Sequence, residues 1–174
     1  MTIIESRVES EIDTLTSQLQ QLIRVPSVSA KKQLTITKCA ELVSEIMSKA
    51  GIKSELLKLD YNSEEIAPVV YGEVKSKNNP DGKTILFYNH YDVQPPEPIE
   101  LWDDDPFSGK IDGNLIFGRG ASADKGELIT RIKAVQYFLD ETGDVPCNVK
   151  FIIEGEEEVG SSHLEKYLIK YKQK

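Results

Sequence analysis

The stretch Lys83-Thr84-Ile85-Leu86-Phe87-Tyr88-Asn89-His90-Tyr91-Asp92-Val93-Gln94-Pro95 decides the fold. Residues 83–89 are mostly apolar or β-prone, and so predict a buried strand. His90 then stands where a strand gives way to a loop. A strand end is a rigid mount from which a side chain can be aimed into a cleft. One nitrogen of an imidazole can bind a metal while a carboxylate holds the other. His90 and Asp92 could supply both partners. The chain has two histidines, and the bland reading of this one is a capped loop residue.

Working outward, Ile4, Val8, Ile12, Leu15, Leu19 and Leu22 recur every third or fourth position, which predicts an amphipathic helix over about 4–24. Pro26 ends it. A second helix is expected over about 35–50, with Ile36, Ala40, Val43, Ile46 and Met47 on one face and Gly51 as its stop. Residues 52–60 and 69–74 read as strands, and Asn78 to Gly82 as a turn. Lys110 to Phe117 reads as a hairpin around Asp112-Gly113, and residues 124–141 as a helix. Val149 to Ile153 is a further buried strand, and residues 161–172 a closing helix. Helices and strands alternate, so the class is α/β: a mixed, partly parallel sheet flanked by helices.

The 174 residues fit one domain, and 39% hydrophobic content suffices for a core. The net charge of -8 argues against nucleic-acid or acidic-membrane partners. Cys39 and Cys147 lie far apart without paired spacing, which suits a reducing cytoplasm and argues against a thiolate zinc site. Glu5, Arg7, Glu9 and Glu11 rule out the apolar core of a signal peptide over residues 1–12, and no apolar run reaches membrane-spanning length.

Glu154-Gly155-Glu156-Glu157-Glu158-Val159-Gly160 follows directly on the strand ending at Ile153. Such an acidic run is commonly a solvated helix start. Its place at a strand end, like that of His90, allows another role. One carboxylate could ligate a cation while its neighbour takes a proton from water. Gly118-Arg119-Gly120-Ala121-Ser122-Ala123 fits a dinucleotide-binding glycine fingerprint, but no acid stands at the end of the next strand at the distance that motif needs. The alternative is a helix-capping loop. Trp102 and Phe107 flank Asp103 to Asp105 and read as an apolar anchor for a polar loop.

Taken in order, these segments resemble the zinc peptidase family of carnosine dipeptidase, carboxypeptidase G, aminoacylase and acetylornithine deacetylase, over roughly residues 10–170. His90-Tyr91-Asp92-Val93-Gln94-Pro95 is similar to the family's His-x-Asp-Val-x-Pro signature, and its Val-Gln-Pro form leans toward the dipeptidase-like branch. The resemblance implies that His90 is a metal ligand and that Asp92 orients its imidazole. It further implies that Glu157 is the general base and Glu158 a second ligand. It implies two zinc ions in the complete site, a small peptide or N-acyl amino acid as substrate, and possible homo-oligomers.

Two departures accompany the resemblance. Where the family carries an aspartate that bridges both metals, this chain has Ala123, 33 residues after His90 and 34 before Glu157. A methyl group cannot ligate, and Asp124 could replace it only if the loop shifted by one residue. Family members are also considerably longer, with further ligands and a lid or dimerisation domain past Lys174. The expectation is therefore the N-terminal part of a catalytic domain, taking one zinc or none, with little activity as written. The competing expectation is a non-catalytic homologue with a binding role or none. His163 is not expected to replace the missing terminal histidine.

Overall fold

A computed structural model describes residues 3–31, 34–59 and 66–174. In chain order the elements are α1 (Ile3–Ser10), α2 (Ile12–Ile23), α3 (Leu34–Lys49), β1 (Lys53–Leu57), β2 (Val69–Val74), β3 (Thr84–His90), β4 (Lys110–Asp112), β5 (Leu115–Phe117), α4 (Lys125–Thr142), β6 (Asn148–Glu154) and α5 (Leu164–Lys170). β1 stops at Leu57, short of the strand expected to residue 60; Lys58 and Leu59 are irregular, and Asp60 itself lies outside the described residues.

The main sheet runs β1-β2-β6-β3. β1 and β6 each pair antiparallel with β2, whereas β3 runs parallel to β6, in register from Thr84 opposite Asn148 to His90 opposite Glu154. The sheet is thus mixed and partly parallel. Its larger core packs α2, α3 and α4 against one face, with Ile36, Val43 and Met47 of α3, Leu128 and Ile132 of α4, and Phe151 and Ile153 of β6 all buried. The other face carries a smaller cluster in which Tyr167 of α5 meets Leu57, Val69 and Tyr71. Helices therefore flank both faces, and the ends of β3 and β6 open toward the same side.

Three further sequence expectations change. The single helix over 4–24 is two helices, broken at Glu11 (φ -108°, ψ 6°). α1 buries none of its residues, so packing does not enforce one continuous apolar stripe. Instead Arg7 reaches α4, 3.4 Å from Asp140 and 3.8 Å from Glu141. β3 is not a buried strand: it forms an edge, and Ile85, Leu86 and Tyr88 are 47, 55 and 45% exposed. The closing helix is shorter than expected, Leu164–Lys170; it does not begin at Ser161, whose φ of 52° a helix cannot use.

The contrast between β6 and β3 gives a stability prediction. Phe151→Ala should lower unfolding free energy by about 3–5 kcal/mol, as for other buried aromatic truncations. Leu86→Ser should change it by less than about 0.5 kcal/mol, as for exposed positions. Urea denaturation of both variants checks this; a large loss at Leu86 would mean that β3 is covered.

Candidate metal centre

The parallel register sets His90 beside Glu154, at the ends of their strands. From Glu154 the chain turns through Gly155 against the ring of Tyr91, which is fully buried and donates its hydroxyl to the Pro68 carbonyl at 2.7 Å. A β-carbon on Gly155 would lie 2.3 Å from that hydroxyl, so only glycine lets the turn pass so close. A short 3-10 turn, Glu157–Val159, then carries the two acids of interest.

Asp92 organises this corner. It is completely buried, and its Oδ1 lies 3.2 Å from Nδ1 of His90. The same carboxylate accepts the backbone N–H of Glu157 at 3.2 Å and of Glu158 at 3.1 Å. The Asp92 carbonyl also lies 3.1 Å from Nδ1. With acceptors only on that side, Nδ1 carries the proton and Nε2 of the neutral ring keeps its lone pair. Nε2 lies 3.8 Å from Oε2 of Glu157. One donor atom each from His90, Glu157 and Glu158 falls within 4.8 Å of the other two. A nitrogen and two carboxylate oxygens so gathered suit zinc, which takes such donors at about 2.0–2.2 Å.

Burial by itself would lower the His90 pKa. The hydrogen bond and charge of Asp92, together with the charges of Asp124 and Glu157, outweigh burial and raise it from 6.5 to about 9. A cation therefore competes with a proton for this ring below that pH.

Asp124 is held differently. Its Oδ2 accepts the His90 backbone N–H at 3.0 Å and the Asn89 amide at 2.6 Å. It anchors the end of β3 and is not in the group of three donors. Ala123 is exposed, and its methyl offers nothing to an ion. The adjacent Lys125 is buried, donating its ammonium to the carbonyls of Leu22 at 2.8 Å and Val25 at 2.9 Å; burial lowers its pKa. Gly120, with φ +85°, lies where a β-carbon would come 2.7 Å from Val93. The strand before this loop, β5, pairs with β4 in a separate two-stranded sheet. The dinucleotide reading therefore lacks the β-α-β unit it needs.

Other residues fall as follows. The indole N–H of Trp102 donates to the Pro96 carbonyl at 2.7 Å, and Arg119 lies 5.4 Å over its ring, in keeping with an anchored loop. His163 lies 2.8 Å from a carboxylate oxygen of Glu156 and is outside the donor group. Gln94 had no role in the sequence reading beyond its place in Val-Gln-Pro. Its amide donates to Glu158 at both the carbonyl, 3.0 Å, and Oε2, 2.9 Å. The signal was the glutamine itself, a side-chain donor where an apolar residue could stand.

A sheet with a histidine and two acids gathered at adjacent parallel strand ends has the makings of a metallohydrolase scaffold. The chain belongs to peptidase family M20/M25/M40, whose profile matches residues 86–173. It is 35% identical to the Cys-Gly metallodipeptidase dug1 of Schizosaccharomyces pombe over 166 residues, covering 91% of this chain and 34% of that protein. Among solved structures, human carnosine dipeptidase 1 superposes with a TM-score of 0.86 at 27% identity, over 100% of this chain and 39% of that one. The M20 family metallo-carboxypeptidase Sso-CP2 from Sulfolobus solfataricus gives 0.79 at 40% identity, over 90% of this chain and 34% of that one. The chain thus spans roughly a third of the length of the relatives it matches. Among the described residues no helix is long and apolar enough to cross a membrane.

The His90–Asp92 pair makes a pH prediction. The raised folded pKa means that its contribution to stability is full below pH 6.5 and is lost as pH rises through about 9. By NMR, the His90 ring of the metal-free protein should titrate near 9, and Asp92→Asn should bring the midpoint back toward 6.5. A wild-type midpoint already near 6.5 would show that Asp92 does not hold the ring.

Proposed function

We propose that this chain carries part of the metal centre of a zinc-dependent, dipeptidase-like hydrolase of peptide or amide bonds. His90 and Glu158 are its ligands here, Glu157 is the general base, and Asp92 orients the imidazole. The observation that carries the reading is the buried Asp92 carboxylate, which fixes His90 and both glutamate amides at once. When bound, zinc supplies Lewis acidity toward a carbonyl and lowers the pKa of water. Glu157, at the open side of the ring, takes the proton of the attacking water and returns it to the leaving amine. Gln94 restrains Glu158, and Asp92 engages Nδ1, so that Nε2 is the ring nitrogen left to face a cation.

The substrate class is a small peptide or N-acyl amino acid. The similarity to a Cys-Gly metallodipeptidase and to carnosine dipeptidase supports the dipeptide side of that class. In this reading residues 1–174 form the N-terminal part of a metallopeptidase catalytic domain. The two free cysteines, Cys39 and Cys147, are in keeping with a cytoplasmic location.

Ala123 sets the activity. A carboxylate at position 123 would offer a second ion a ligand that alanine does not, and the adjacent acid, Asp124, already serves the end of β3. The chain as written therefore binds one zinc at most and turns over little substrate. Zinc retained after dialysis should be at most one per chain and should be lost in Glu158→Gln, while dipeptide hydrolysis stays near background. Ala123→Asp should tighten zinc retention. Turnover in the unmodified chain that Glu157→Gln abolishes would overturn the inactivity. A folded chain that takes no zinc at all would overturn the metal reading.

A further inference from the structure

The loop that presents Glu157 and Glu158 is tied down at places the metal reading does not use. It leaves β6 at Glu154, which is 2% exposed. Ser161, at the far end of the loop, donates its hydroxyl to Oε1 of Glu154 at 2.7 Å. Tyr88 of β3 donates its hydroxyl to the same oxygen at 2.5 Å. The Glu154 carbonyl accepts the Tyr91 N–H at 2.8 Å. One buried side chain therefore joins β3, the end of β6 and the exit of the loop. Glu156 is turned away toward His163, which leaves the next two acids to face His90.

We propose that Glu154 is a positioning residue for the metal donors: through Tyr88 and Ser161 it latches residues 155–160 and thereby sets their affinity for a cation. This rests on reading His90, Glu157 and Glu158 as a metal site. Asp92 holds the middle of the loop through two amides, but amide bonds at Glu157 and Glu158 do not fix where the loop returns. Ser161, with its φ of 52°, is the return point, and Glu154 clamps it to the strand from which the loop departs. A loop closed at both ends loses less freedom when its carboxylates bind an ion, so the latch appears as affinity.

The test is zinc affinity by chelator competition, beside hydrogen exchange and thermal unfolding of the metal-free protein. The variants are Ser161→Ala, Tyr88→Phe, Glu154→Ala and Glu154→Gln. Loss of either hydroxyl should weaken zinc binding by about tenfold, the lower end of the usual range for groups that support metal ligands. Exchange at 155–160 should quicken while β2 and β6 stay protected. Glu154→Gln keeps an oxygen that can accept both hydroxyls and should retain most of the affinity, whereas Glu154→Ala should not. Ser161→Ala and Tyr88→Phe each remove one hydroxyl, so the test stands even if Glu154→Ala fails to fold. Wild-type zinc affinity in both hydroxyl variants would overturn the latch while leaving the metal reading intact. Weakened binding with exchange rising across β2 and β6 would reduce Glu154 to a general structural role. A folded wild-type chain that takes no zinc would remove the metal reading and the positioning role with it.

Discussion

The carboxylate of Asp92 is the constraint on which the rest of the site depends. A charge taken fully out of water is costly unless hydrogen bonds replace its hydration. Here one ring nitrogen and two backbone amides do so. Those donors belong to segments far apart in sequence: His90 ends β3, while Glu157 and Glu158 follow β6. The parallel β3–β6 register brings the two strand ends together, and Asp92 joins the loops that leave them. The geometry of the donors is therefore a property of the sheet, communicated through one buried acid.

The chain also separates scaffold from chemistry at the loop before α4. Lys125 holds that loop by capping the end of α2, Gly120 lets it pass Val93, and Asp124 fastens it to β3. None of these contacts uses the side chain at position 123. Ala123 itself is exposed, so the loop is held without its side chain.

Much of this was legible in the sequence, and the parts that were not share a cause. The strands at 69–74, 84–90 and 148–154 and the helices at 34–49 and 125–142 follow from local periodicity and from stops such as Gly51. His90, Asp92 and the acidic run after β6 stood out because motifs at strand ends are local features; within that run it was the family resemblance that singled out Glu157 and Glu158. The exposure of Leu86 was not legible, because hydrophobicity reveals a strand but not whether it has one neighbour or two. The break at Glu11 was hidden because a periodic stripe does not show which of its turns finds a packing surface. Gln94 and Glu154 were missed because their roles lie in contacts 64 and 66 residues away along the chain. In Glu154, moreover, a buried structural acid stands at the head of an acidic run that reads as solvated.

The most direct measurement is X-ray absorption at the zinc edge of the zinc-loaded chain, beside His90→Ala. The expected first shell is one imidazole nitrogen with oxygen donors at about 2.0–2.2 Å, and the imidazole contribution should vanish in the variant. A shell of sulfur, or one whose imidazole survives His90→Ala, would contradict a metal held between the ends of β3 and β6.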